Sequence, residues 1–226
     1  MAESCVMTEE NGIIINFYTP FEAVVDGVNI KTCGDYIADC NVKISIDFAN
    51  EPKRTVKLRI PAWSAKTTLI VNGTEYSADS GYFTFVPENI KTDIEIFFDN
   101  SVKIRRIVPH PQKSAYEWKL QSYEAPWNPE GSADASLYRN EPACVLQKGA
   151  LLLCRTKLIG NTEKEMFEDK TDIEPTDHCT AIRKPCDNVN TAYELQFSNS
   201  VRLNVCDYAS GTNMMSDDKR FFSIYF

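Results

Sequence analysis

The residues of this chain that could do chemistry are few and scattered. Eight cysteines stand at positions 5, 33, 40, 144, 154, 179, 186 and 206. A zinc site draws on thiolates and imidazoles at short, fixed spacings. Here no two cysteines have CxxC spacing, Cys33/Cys40 and Cys179/Cys186 are each seven apart, and the histidines are His110 and His178. We therefore read the cysteines as reduced, mostly buried thiols. By type, His178 and Cys179 could be a base and a nucleophile. Adjacent residues on a strand, however, point to opposite faces. Glycoside hydrolysis requires two carboxyl groups about 5 to 9 Å apart. Glu9-Glu10, Asp217-Asp218 and Glu163/Glu165/Glu168 qualify by type, yet acidic clusters in polar turns read as solvated surface. His110 lies between two prolines and reads as an exposed linker residue. No catalytic residue and no metal ligand is assigned.

One stretch has a binding chemistry. Residues 116–138 carry Tyr116, Trp118, Tyr123, Trp127 and Tyr138 among prolines and glycine. Sugars present apolar C–H faces that stack on exposed rings, so Tyr116, Trp118, Tyr123 and Trp127 are the candidate carbohydrate contacts. The competing reading is that these rings pack between domains, because large aromatics bury the most area per residue.

The elements that must position these groups are strands. The organising stretch runs from Arg54 to Asn72. Val56, Leu58 and Ile60 alternate with Lys57 and Arg59, which puts the apolar side chains on one face. Pro61 has no N–H for a ladder and ends the strand. Trp63 follows, placed to fold back over the apolar face. Leu69 to Val71 form a second strand of a half-buried antiparallel sheet, closed by the Asn72-Gly73 hairpin signal. That turn also explains Asn72-Gly73-Thr74 better than its reading as a glycosylation sequon. Gly12 to Thr19 and Asn41 to Phe48 read as strands, with an extended piece at Ala23 to Val25. Tyr82 to Val86, Ile94 to Phe98 and Val102 to Val108 follow. Met1 to Asn11 reads as a polar lead-in. Beyond Pro109 the periodicity stops until Ala143 to Gln147 and Gly149 to Thr156. A polar, acidic segment from Gly160 to Asn190 precedes strands at Thr191 to Phe197, Val201 to Val205 and Phe221 to Phe226. Strands recurring about every ten residues, separated by turn residues, indicate a sandwich or a barrel. The expected fold is all-β, with two antiparallel β-sandwich domains in tandem, residues 1–107 and 108–226. The second opens with an irregular aromatic and proline-rich segment at about 109–140.

Totals exclude several partners. Residues 1–107 hold 11 basic and 15 acidic side chains and residues 108–226 hold 13 and 17, so each half carries −4 of the net −8. Nucleic acids and anionic membranes require clustered Lys and Arg, which neither half offers. No apolar run approaches the ~18 residues of a membrane span. The polar start is unlike a signal peptide, so a cytoplasmic location is expected, although a truncated N-terminus would hide such a peptide.

Leu58-Arg59-Ile60-Pro61-Ala62-Trp63, then Val71-Asn72-Gly73 and Gly81-Tyr82, resemble the C-terminal region of glycoside hydrolase family 127, the β-L-arabinofuranosidase group. Gly12 to Tyr18 is similar to a Gly-Ile-x-Val-Asn-Leu-Tyr strand of that family. Gly149-Ala150-Leu151-Leu152-Leu153 is similar to its Gly-Pro-Leu-Val-Tyr strand, with Ala150 where proline is usual. Asp207 to Gly211 and Phe222 to Tyr225 resemble its last strands. The resemblance implies an (α/α)6 catalytic barrel followed by two β-sandwiches, with a cysteine nucleophile held at zinc by a glutamate and further cysteines inside the barrel. Those residues belong upstream of this chain. Cys5 stands only seven residues before Gly12 and is followed by Val6, so the nucleophile's role is not carried to it.

The expected function is that of a non-catalytic accessory region of a glycoside hydrolase, supporting a missing (α/α)6 barrel and shaping its sugar entrance or a homodimer interface. The alternative is a free-standing carbohydrate-binding module using the loop aromatics. No cofactor is expected in this chain; zinc would belong to the missing catalytic domain.

Overall fold

In the computed structural model the described residues are 5–49, 54–107, 143–167, 171–212, 222–223 and 226. The chain divides into two compact units. The first comprises Met1–Ser101 with Lys148–Leu151, the second Val102–Gln147 with Leu152–Phe226.

The first unit is a sandwich of two sheets around one core. β1 (Val6–Glu9), β2 (Gly12–Ile15), β6 (Thr55–Ile60) and β9 (Gly81–Phe85) form a four-stranded sheet in the order β1-β2-β6-β9. The facing sheet contains β3 (Phe21–Val25), β4 (Val28–Cys33), β5 (Asn41–Asp47), β7 (Thr67–Val71), β8 (Thr74–Ala78) and β10 (Lys91–Phe97), in the order β3-β4-β5-β10-β7-β8. The alternation read in the sequence is what makes the core. Val42, Ile44, Ile46 and Phe48 are buried on one sheet, and Val56, Leu58 and Ile60 meet them from the other. Burying each such side chain stabilises by roughly 1.5–3 kcal/mol.

Several sequence expectations are corrected here. The Arg54 strand and the Leu69 strand lie in opposite sheets, because Pro61 to Ser64 forms a corner closed by Ser64 N–H donating to Pro61 C=O at 3.0 Å. β6 pairs antiparallel with β9 but parallel with β2, Ile13 opposite Val56 and Ile15 opposite Leu58. The polar lead-in contains β1, paired with β2 across a turn at Glu10-Asn11. Only one of its residues, Val6, is buried, so it gave no apolar pattern.

Two hairpins have the same turn chemistry. Asn72 and Gly73 have φ of +48° and +84°, and Val71 sits opposite Thr74. Asp26 and Gly27 have φ of +46° and +79°, and Val25 sits opposite Val28. Both centre on the left-handed backbone that Asn-Gly and Asp-Gly tolerate. Asn72 adds a staple, its side-chain oxygen accepting from Asp93 N–H at 2.9 Å.

The second unit is built on one sheet. β11 (Val102–Ile107), β12 (Ala143–Lys148), β13 (Leu151–Thr156), β16 (Arg202–Asp207), β15 (Ala192–Phe197) and β14 (Cys179–Lys184) follow in that spatial order, and β17 (Phe222–Ser223) pairs with β13. β11 and β14, the two ends of that order, touch, so the sheet curls on itself. β14 and a one-turn helix, α1 (Glu163–Phe167), lie in the segment read as a polar connection. β14 is an edge strand with no fully buried residue, so it lacks the apolar run by which a strand is recognised. Thr162 and Glu165 form a capping box that starts α1: Glu165 Oε2 accepts from Thr162 N–H at 2.7 Å, and Thr162 Oγ1 accepts from Glu165 N–H at 3.2 Å. The second helix, α2 (Tyr208–Gly211), is capped by Asp207. No described helix is long and apolar enough to cross a membrane. The all-β class holds in both units.

Candidate functional site

The first unit places its most reactive groups around an aromatic cluster. Tyr18, Tyr36, Trp63 and Phe98 stack edge to face or tilted, with ring centroids 5.4–6.0 Å apart. Trp63 does fold back over the apolar face, packed against the core. Tyr18 is buried, and its hydroxyl donates to Arg59 C=O at 2.8 Å. Burial, reinforced by Tyr36, pushes that hydroxyl well above the ordinary tyrosine range. Next to the cluster, the buried Lys148 donates from Nζ to Ala38 C=O at 2.8 Å and to Asn100 Oδ1. Cys40 lies in the same region. Burial pushes its thiol up, and Lys148 opposes the shift only in part. A thiol kept protonated is a poor nucleophile. This is a locked structural corner.

The second unit concentrates its buried polar groups at the start of α2. Asp207 accepts from Ser210 N–H at 2.8 Å, from Thr191 N–H at 3.0 Å and from Ser210 Oγ. Three donors converge on one carboxylate, which fixes the cap. Beside it, Cys154 and Cys206 sit opposite one another on β13 and β16, with Sγ atoms 3.6 Å apart. Their mutual hydrogen bond and burial push the Cys206 thiol strongly up.

The remaining candidates do not assemble. His178 is exposed, and its backbone carbonyl accepts from Ser198 N–H at 3.1 Å. Cys179 opens β14, and burial holds its thiol up at about 11. The two form no nucleophile–base pair. Glu9 is engaged by Lys57 at 2.7 Å. Glu165 is the capping residue of α1, its carboxyl lowered by the Thr162 N–H and hydroxyl. Cys33 is exposed while Cys40 is buried. Among the described residues no group of three or more His, Cys, Asp or Glu could hold a metal ion. The donors among the described residues therefore do not fit a zinc site. Tyr116, Trp118, Tyr123, Trp127, His110, Glu168 and Asp217-Asp218 lie outside the described residues.

Two features were missed in the sequence. Lys148 is a charged residue in a buried position, flanked by apolar strands. Cys154 and Cys206 are 52 residues apart, and only the pairing of their strands brings them together.

The comparisons with known proteins address the chain at two scales. The family model described as "Beta-L-arabinofuranosidase, GH127 middle domain" matches residues 12–100. No curated protein sequence matches the chain. By fold it is similar to a solved glycoside hydrolase (TM-score 0.62, 14% identity), covering 98% of this chain and 36% of that one. It is also similar to Ara127N-Se, a GH127 β-L-arabinofuranosidase from Geobacillus stearothermophilus T6 (TM-score 0.60, 15% identity), covering 98% of this chain and 34% of that one. The chain thus spans about a third of the length of these structures. The likeness to the GH127 middle domain is therefore carried by sequence over residues 12–100, and over nearly the whole chain the likeness to these structures is one of fold.

Proposed function

We propose that this chain is the non-catalytic accessory region of a glycoside hydrolase resembling the β-L-arabinofuranosidases, and that it supports a catalytic (α/α)6 barrel. One observation carries the reading. The fold match takes in 98% of this chain but only 34–36% of the two enzymes' structures, which leaves most of each enzyme to house the chemistry. The chain's own reactive groups agree. Cys40, Cys144, Cys179 and Cys206 all have thiols pushed up, and the carboxylates described above are used in caps and ion pairs. Zinc, by this reading, belongs to the barrel.

The test is hydrolysis of a chromogenic β-L-arabinofuranoside by the purified chain. No release above buffer is expected. Turnover that survives repurification and is lost on a single Cys→Ser or Glu→Gln substitution would overturn the proposal. In the same preparation, titration with arabinose-rich oligosaccharides reads the sugar-contact proposal for Tyr116, Trp118, Tyr123 and Trp127. Binding lost on Trp118→Ala or Trp127→Ala would make the chain a carbohydrate-binding module instead. Sedimentation velocity reads the homodimer.

A further inference from the structure

We propose that Cys154 and Cys206 are a redox-closable pair, forming a disulfide between β13 and β16 by exchange with a small disulfide such as oxidised glutathione. The two residues are direct partners in the antiparallel register and both are fully buried. Directly opposed residues on antiparallel strands project to the same face. Their sulfurs are 3.6 Å apart, so bonding at ~2.05 Å requires closure by about 1.5 Å. That lies within reach of side-chain rotation and a small inward shift of two strands.

A second observation comes from α2. A Cβ placed on Gly211 would lie 2.5 Å from Cys154 Sγ and 2.9 Å from Cys206 Sγ. The last residue of α2 is therefore seated directly on the two sulfurs, and the seat exists only because that residue has no side chain. Any larger residue would wedge against both sulfurs. The seat also covers them, so exchange proceeds when α2, a single turn, lifts off.

The exchange balances without a metal. With α2 lifted and water admitted to the pair, one thiol loses its proton to solvent, and the thiolate attacks one sulfur of oxidised glutathione, forming a mixed disulfide and releasing one glutathione thiolate. The second protein thiolate then attacks the protein sulfur of that mixed disulfide and expels the other. Two protein thiols lose two protons and two electrons, which appear as two glutathione thiols. Directly opposed strand positions hold Cβ atoms about 4.5–5.5 Å apart, while a relaxed bridge prefers about 3.5–4.5 Å. The bridge forms under tension, which places it among the reducible, reversible disulfides. A thiol-rich compartment keeps it open, and oxidation closes it.

The full chain is equilibrated natively across a series of oxidised-to-reduced glutathione ratios, acid-quenched, alkylated and digested with trypsin. Cys154 and Cys206 fall in separate tryptic peptides, 149–155 and 203–219. As oxidation increases we expect a linked pair of these peptides 2 Da lighter than their sum. Two of the eight cysteines should then escape alkylation, and the oxidised form should melt about 5–10 °C higher. Cys186→Ser should leave the bridge intact, Cys206→Ser should abolish it, and Gly211→Ala should lower its yield several-fold at a fixed ratio. Eight alkylated cysteines at every ratio would overturn the proposal. So would a bridge formed only in denaturant, or native pairing of Cys154 or Cys206 with Cys186. The wild-type peptide map decides the matter even if a variant fails to fold.

Discussion

Gly149→Ala tests the packing of the corner around Cys40, Trp63 and Lys148. Gly149 has φ of +55°, and a Cβ there would lie 2.6 Å from Cys40 Sγ and 3.6 Å and 3.7 Å from the Trp63 ring. Two costs follow. Holding alanine in the left-handed region costs about 1 kcal/mol. Pressing a methyl into a filled core costs about 1–3 kcal/mol more. The sum is about 2–4 kcal/mol. Gly73→Ala separates the terms, because Gly73 has φ of +84° with nothing within 4 Å of the added Cβ; it should cost only the ~1 kcal/mol of backbone strain. Cys40→Ala removes the sulfur that the new methyl meets. In a double-mutant cycle the two substitutions should therefore couple favourably by about 1–2 kcal/mol. The assay is urea unfolding followed by tryptophan fluorescence, with all five proteins, wild type included, at equal slope. If Gly149→Ala costs no more than Gly73→Ala, or the cycle is additive within ~0.5 kcal/mol, the close approach of Gly149 to Cys40 is refuted.

The remaining predictions concern hydrogen bonds and pH in the same unit. Ser64 is buried, its Oγ accepting from Asp99 N–H at 2.8 Å and bonded to Thr67 Oγ1 at 2.7 Å. Ser64→Ala leaves the Asp99 N–H without that acceptor and should cost about 1–3 kcal/mol by denaturant titration; Ser64→Thr should recover part of it. Tyr18 sets an alkaline limit. Its folded pKa is raised by burial, so its contribution is fully present below the unfolded value of about 10 and is lost as pH rises above it. Unfolding free energy should fall by up to ~1.4 kcal/mol per pH unit above pH 10. Tyr18→Phe should flatten that slope, leaving the smaller share of Tyr36, whose hydroxyl is also raised by burial. An unchanged slope in Tyr18→Phe would remove Tyr18 from the account.

How much of this was legible depended on whether the signal was local. Val42 to Phe48 and Val56 to Ile60 alternate strictly, and the buried faces are the ones that alternation names. Asn72-Gly73 needs only two residues to specify its turn, and the turn is there. Asp26-Gly27 has the same chemistry and was legible, but the extended piece at Ala23 to Val25 was read without the turn that follows it. Partnership was not legible. The parallel pairing of β2 with β6 is set by where each strand lands after the chain has crossed to the other sheet and back. β1 and β14 escaped because edge strands bury few residues, so they lack the apolar rhythm that reveals an inner strand. For the site, residue types were visible but their company was not. Lys148 reads as a surface lysine until Ala38 and Asn100 enclose it. Cys154 and Cys206 read as two unrelated thiols until β13 and β16 align.

The outermost strand of the first unit acts as a selvedge. β2 is a Gly-Ile-Ile-Ile run with β6 on one side and β1 on the other. The family-model match begins at Gly12, so a domain trimmed to those limits would lose β1. Its remaining edge would then offer a β-branched strand with open N–H and C=O groups, the template on which further chains add. β1 contributes little apolar burial, but it occupies that edge, and Glu9 at its end ties down Lys57 of β6 at 2.7 Å. β1, which lies outside the family match, is therefore the strand that closes this edge of the sheet against further pairing.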